Sequence, residues 1–244
     1  MLIISAGMQK SGSGYIYNII NDLLIESGKQ DARQIKKTYK LDDVMKWDNN
    51  NIGKLKNSKL IKLLFISIKT GPFVVKTHEG PATLTRFLQK ANLIKSIYIY
   101  RDPRDVLISA IDHGKKILEE GETHTFAKMV NYEDALRILK EWCATYTMYC
   151  KEKGILLIKY EDLVASPHNT IEKVQNYLQI SISKAKVSQI IDRYNKNRTT
   201  SDNQILHFNK GIINRYKNEL PPYVIESLNK ELEGTLKSMN YLVN

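Results

Sequence analysis

Lys10 sits inside a turn of small residues, Ala6-Gly7-Met8-Gln9-Lys10-Ser11-Gly12-Ser13-Gly14-Tyr15. The apolar run Leu2-Ile3-Ile4 precedes it, and Ile16, Ile19, Ile20, Leu23 and Leu24 follow at helical spacing. A strand, a glycine-rich turn and a helix together aim several backbone N–H groups at a phosphate beyond the helix N-terminus. Gly7 and Gly12 have the spacing of the nucleotide-triphosphate loop G-x-x-x-x-G-K-[ST]. Ser13 and Gly14 stand where that loop has its lysine and hydroxyl residue. The lysine has moved into the turn, which points to a different anionic donor.

Further segments carry chemistry. In Tyr98-Ile-Tyr-Arg101-Asp102-Pro103-Arg104-Asp105-Val106-Leu107-Ile108-Ser109, Arg101 leaves a strand and Ser109 lies about two turns into the next helix. Ligands of open α/β sheets bind beyond the carboxyl ends of the strands. Arg101 is therefore placed to grip a phosphate with the Ser109 hydroxyl beside it, or else forms a surface pair with Asp105 above a buried serine. Val74-Val75-Lys76-Thr77-His78-Glu79 puts an electrophile and a general base at another strand end. Ile158-Lys159-Tyr160-Glu161-Asp162-Leu163 closes the last strand, and Lys210-Gly211 offers a second phosphate contact with close backbone approach. His113, His124, His168 and His207 lack such settings.

The elements that must position these groups are legible in outline. Leu2–Ser5, Phe73–Lys76, Ser96–Tyr100 and Ile155–Lys159 read as buried parallel strands, with helical patterns between them. Asp102-Pro103 caps a helix to about Glu120, and Ser166-Pro167 does the same for one to Leu178. Amphipathic patterns cover roughly His124–Lys151 and run from Pro222 to Met239. Lys36–Asn57, rich in asparagine and mixed charge, reads as an irregular surface insertion that serves as a flap over the site. The pattern predicts a single domain over residues 1–244, a three-layer α/β/α fold around a central parallel sheet.

The net charge of +11 and pI near 9.4 favour an anionic partner. The basic residues are scattered, which argues against nucleic acid, and Lys54, Lys56, Lys59 and Lys62 read as a solvated face. No run reaches the ~20 apolar residues of a transmembrane helix. The N-terminus has no signal-peptide pattern. Cys143 and Cys150 are spaced to share a buried helix face without a disulfide, so the expected location is a reducing cytoplasm.

In this order the motifs resemble the sulfotransferases that use 3′-phosphoadenosine 5′-phosphosulfate (PAPS). Gln9-Lys10-Ser11-Gly12-Ser13-Gly14-Tyr15 is similar to that family's P-K-S-G-T-T-W, the P-loop-like 5′-phosphosulfate loop. Lys76-Thr77-His78 matches K-T-H, and Arg101 through Asp105 with Ser109 is similar to R-N-P-x-D…S, the 3′-phosphate site. Tyr160-Glu161-Asp162-Leu163 matches Y-E-D-L. Asn209-Lys210-Gly211 through Asn218 resembles R-K-G-x-x-G-x-W-K-N, with Asn209 and Asn214 replacing its arginine and second glycine.

The resemblance implies sulfuryl transfer from PAPS to an acceptor hydroxyl or amine, without a metal, releasing adenosine 3′,5′-bisphosphate. It implies His78 as base, with Glu79 as rival, Lys10 at the leaving phosphate and Lys76 at the sulfuryl oxygens. Arg101, Ser109 and Lys210 with Gly211 fall at the 3′-phosphate, and Tyr15 and Tyr160 at the adenine. The acceptor is expected to be a small molecule or carbohydrate. Two rivals stand beside this reading: a P-loop kinase or triphosphatase, and a non-catalytic nucleotide-binding protein on the same fold.

Overall fold

The computed structural model describes residues 1–121, 125–196 and 211–243. Four strands, β1 (Leu2–Gly7), β2 (Phe73–Thr77), β3 (Ile94–Tyr100) and β4 (Leu156–Lys159), form one sheet of order β2-β1-β3-β4. All pairings are parallel, with Ala6 opposite Thr77 and Gly7 opposite Ile99. These are the four strands expected from the apolar runs. β1 and β2 are buried along their whole length, as strands covered on both faces must be.

Helices α1 (Ser13–Glu26), α2 (Ala32–Thr38) and α3 (Asn57–Thr70) join β1 to β2, and α4 (Thr83–Lys90) joins β2 to β3. After β3 come α5 (Pro103–Glu119), a 3₁₀ turn Thr125–Lys128 and α6 (Tyr132–Cys150). Past β4 lie α7 (Tyr160–Ala165), α8 (Pro167–Leu178) and α9 (Lys184–Lys196). The chain closes with α10 (Tyr216–Glu219), α11 (Pro222–Glu231) and α12 (Glu233–Ser238).

From β1 the chain moves one way along the sheet to β2, then back past β1 to β3. Right-handed crossovers therefore put α1 and α4 on opposite faces. α9 packs beside α1 and α8 against α9 and β4, while α6 packs on β3. Because β1 and β3 send their chains in opposite directions, a crevice opens beyond their carboxyl ends. This is the topological switch point where α/β sheets bind ligands.

Several local expectations change. Residues 36–57 are not a surface insertion: Leu41, Val44, Met45, Ile52 and Leu55 join the core, and Asn50 is fully buried. The Asn50 amide donates to Tyr17 Oη at 2.7 Å, while Lys76 N donates to Asn50 O and Ile52 N to Lys76 O. The segment is thus a strap along the exposed edge of β2. The helix expected from His124 begins instead at Tyr132, where the Asn131 side chain accepts from Asp134 N; His124 lies outside the described residues. The C-terminal helix breaks at Leu232 into α11 and α12. Asp102 caps α5 as expected, but the Ser166 side chain makes no cap bond to α8. Cys143 is buried and Cys150 is exposed, so they do not share a buried face.

Candidate active site

β1 delivers the loop of residues 8–12 to the switch point. Gly7 permits α1 to start close to the sheet, since a Cβ there would lie 2.6 Å from the Ile99 side chain. Gly12 has φ +80°, and its Cβ would meet the Tyr160 ring at 2.7 Å. Only glycine satisfies both the left-handed backbone and that ring contact. Lys10 also adopts a positive φ of 61°, which a non-glycine residue holds only under constraint from its surroundings. Ser11 supplies part of that constraint, its buried hydroxyl donating to Met8 O (2.5 Å) and bonding Ile99 O at 3.2 Å. Ser11 therefore shapes the loop through its side chain.

Ser13 and Gly14 are the first two residues of α1, and no side chain caps that helix. Its first turn carries no acidic residue. Uncapped N–H groups and the positive end of the helix dipole together suit an anion.

β2 delivers Lys76 and His78. The strap pins this strand end by its bonds to the Lys76 backbone, and by Thr77 Oγ1 donating to Gly53 O at 2.9 Å. His78 reaches across to β1, with Nδ1 2.8 Å from Gly7 O. A carbonyl only accepts, so Nδ1 carries the proton and Nε2 presents a lone pair. Lys76 Nζ lies 2.8 Å from that Nε2 and donates to it.

Burial, then the neighbouring Lys76 charge, lowers the His78 pKa to about 3. Burial lowers Lys76 to about 8 and is also the main cause of a value of about 8 for Lys10. Asp112 opposes that shift at Lys10, while Arg101 and Lys116 add to it. The site is a concentration of positive charge without enough carboxylate to neutralise it. Glu79, by contrast, is exposed, and its contacts to the site run through its backbone: its N–H donates to Thr77 Oγ1 and its carbonyl accepts from Tyr149 Oη.

β3 delivers Arg101, which is buried over the Tyr160 ring at 4.7 Å. Nη2 donates to Asp105 Oδ2 at 3.1 Å and to Ile212 O at 2.6 Å. Its Nε is buried with no hydrogen-bond partner among the described residues. The Arg101–Asp105 pair thus exists, but inside the site and not on the surface. Asp105 also accepts from Asn214 N at 2.8 Å and Tyr216 N at 3.0 Å. It therefore ties the segment after Gly211 to the switch point.

Asn214 has φ 59° and Gly211 φ 65°, so Asn214 preserves a left-handed backbone that glycine would also allow. Asp105, Ser109 and Asp112 follow at one-turn spacing along α5, which puts buried Ser109 on the face that meets this segment. Asp112 accepts from Arg215 Nη2 at 2.7 Å. Lys210 and Asn209 lie outside the described residues.

Tyr15 and Tyr160, expected at the adenine, are both buried in this geometry. Tyr15 is 1% exposed with its ring edge-on to Tyr194, and Tyr160 is wedged between Gly12 and Arg101. Sequence reasoning missed Phe126, whose ring lies 5.5 Å from Lys10 Nζ. The signal for it is Gly114: a Cβ there would stand 2.3 Å from Phe126 O, so that glycine lets the 3₁₀ turn dock against α5.

Comparison with known proteins places this geometry among relatives. The sequence matches the family model described as Sulfotransferase domain over residues 2–240. It is 27% identical over 106 residues to the amine sulfotransferase of Oryctolagus cuniculus, covering 42% of this chain and 35% of that protein. It is 24% identical over 207 residues to cytosolic sulfotransferase 10 of Arabidopsis thaliana, covering 75% of this chain and 62% of that protein. Both matches span less than two thirds of the relative's own length.

The structure of mouse sulfotransferase SULT7A1 complexed with PAP superposes with a TM-score of 0.61 at 15% identity, over 97% of this chain and 84% of that one. The sulfotransferase domain from the curacin biosynthetic pathway gives 0.57 at 16% identity, over 100% and 98%. At such identities the likeness is one of fold.

Proposed function

This chain belongs to the sulfotransferase domain family, and from that premise we propose that it transfers a sulfuryl group from PAPS to a hydroxyl or amine of a small acceptor, a carbohydrate among the candidates. The observation that carries this reading is the cluster of buried Lys76 and Arg101 with half-buried Lys10 and His78 at the switch point. The orphaned Arg101 Nε and the uncapped start of α1 fit a ligand with two separate anionic ends.

Bound there, PAPS supplies an electrophilic sulfur and a 5′-phosphate leaving group. The α1 N-terminus and Lys10 hold the 5′ end, and Arg101 with Ser109 holds the 3′-phosphate. His78 Nε2 accepts the acceptor's proton as the new bond to sulfur forms. Lys10 stabilises the oxygen that departs with the electrons of the broken S–O bond. Lys76 exchanges His78 Nε2 for a sulfuryl oxygen, which both frees the base and neutralises charge on the transferring group. Tyr160 braces Gly12 and Arg101 from beneath. The free thiols suit a reducing cytoplasm.

A magnesium-dependent triphosphatase would need a carboxylate free at a strand end. Asp102 is committed elsewhere: Oδ1 accepts from Arg104 N and Nε, and Oδ2 from Arg104 Nη2. That bidentate pair favours sulfuryl transfer.

The test is transfer from PAPS, in EDTA, to a panel of phenols, alcohols, sugars and amines, followed across pH. Both lysines act in their protonated form, and their pKa values near 8 belong to the free enzyme. The expected kcat/KM therefore falls above pH about 8, more steeply than one proton would give. With its pKa at about 3, His78 stays neutral, so no loss is expected between pH about 5 and 7. Absence of transfer across the panel, with the bisphosphate bound, would favour the non-catalytic reading.

A further inference from the structure

Helix α3 is apolar on two opposite sides. Leu60, Leu63 and Ile66 are buried toward the sheet, packing on β1. Ile61, Phe65 and Ile68 recur at i, i+4 and i+7 on the other side and are 45%, 63% and 65% exposed. A helix apolar all round is normally enclosed, yet this outer stripe faces away from the fold.

The charge around it is one-sided. Between Asp48 and Glu79 the sequence has six lysines and no aspartate or glutamate. Lys76 belongs to the site. Lys54 and Lys56 precede the helix, and Lys62 and Lys69 flank the stripe, all four exposed. Lys59 turns back to donate to Ile52 O. Among the described residues only Lys62 of this group has an ion pair, to Asp43 at 3.3 Å.

We propose that this face of α3 rests on an anionic lipid bilayer, with Phe65, Ile61 and Ile68 entering the headgroup boundary and the lysines meeting lipid phosphates and carboxylates. Shallow apolar insertion and a basic rim are the two signals that together give stable interfacial binding. A second copy of the same face is disfavoured, because an isologous contact would oppose the same lysines across the interface. None of these residues touches the site, so surface attachment and catalysis are separable. Among the described residues no helix is long and apolar enough to cross a membrane.

The experiment is co-sedimentation of the full chain with vesicles of phosphatidylcholine alone or mixed with phosphatidylserine. Binding is expected only to the mixed vesicles and should weaken as salt rises. The double variant Phe65→Glu/Ile68→Glu should lower partitioning by about tenfold or more, and Lys54→Glu/Lys69→Glu by about tenfold. Both should retain wild-type circular dichroism and bisphosphate affinity, as exposed positions allow. Equal sedimentation of wild type and both variants, or none by wild type, overturns the proposal. So does a concentration-dependent dimer abolished by Phe65→Glu/Ile68→Glu, or binding to poly-glutamate without binding to vesicles.

Discussion

Replacing His78 by alanine is expected to lower turnover by about a hundredfold to ten-thousandfold while leaving bisphosphate affinity within about threefold. The asymmetry follows from what the imidazole touches. Nδ1 is spent on Gly7 O, which fixes the tautomer and leaves Nε2 as the one ring atom able to accept a proton. The donor's phosphates are held by other groups: the uncapped start of α1, Lys10 and Arg101. His78→Ala also leaves Lys76 without its hydrogen-bond acceptor, so its ammonium is free for anions. Glu79→Gln is the paired control. Glu79 is exposed and its bonds to Thr77 and Tyr149 run through its backbone, so turnover should change little. A large loss in Glu79→Gln with full activity in His78→Ala would reverse the assignment of the base.

Arg101→Ala is the second large effect and should fall on the donor alone. Charge-assisted bonds to a buried phosphate are each worth about 1.5–3 kcal/mol, so losing two predicts about a hundredfold weaker binding or more. The loss should be selective. Adenosine 5′-phosphosulfate, which lacks the 3′-phosphate, should bind wild type and Arg101→Ala about equally, whereas PAPS should discriminate. Arg101→Lys keeps the charge without the planar fork and should recover only part of the affinity. Circular dichroism checks the fold, because Asp105 still accepts from Asn214 N and Tyr216 N in the variant. Equal weakening of both ligands would show that Arg101 shapes the loop, through Tyr160 and Gly12, and does not read the 3′ end.

Much of this site is local in sequence and was therefore legible there. Each strand is a short β-branched or aromatic run, and each chemical group stands at such a run's end: Lys10 after β1, Lys76 on β2 with His78 just past it, Arg101 after β3. What could not be read were partnerships between distant segments. Asp105 looks like a salt-bridge partner one turn from Arg101, yet most of its hydrogen bonds go to amides more than a hundred residues away. Asp112 and Arg215 are a pair of the same kind. Phe126 reaches Lys10 only because Gly114 lets a turn approach α5.

Residues 36–57 misled for a different reason. Their apolar residues follow neither a helical nor a strand period, and their asparagines resemble solvent-exposed loop. The buried Asn50 is satisfied by Tyr17 and by the backbone of Lys76, which composition cannot disclose. Lys54, Lys56, Lys59 and Lys62 read from composition as an ordinary solvated face, whereas the outward exposure of Ile61, Phe65 and Ile68 beside them shows only in the fold.

The central claim is that Lys10, Arg101 and the α1 N-terminus form a site for a donor with phosphate at both ends of its ribose and no metal. Calorimetric titration of adenosine 3′,5′-bisphosphate into the protein in EDTA tests it most directly. The account predicts one site per chain with a Kd of roughly micromolar or tighter, unchanged by added magnesium, and ATP binding at least about tenfold more weakly. No binding of the bisphosphate in EDTA, together with tight magnesium-dependent binding of ATP, would contradict it.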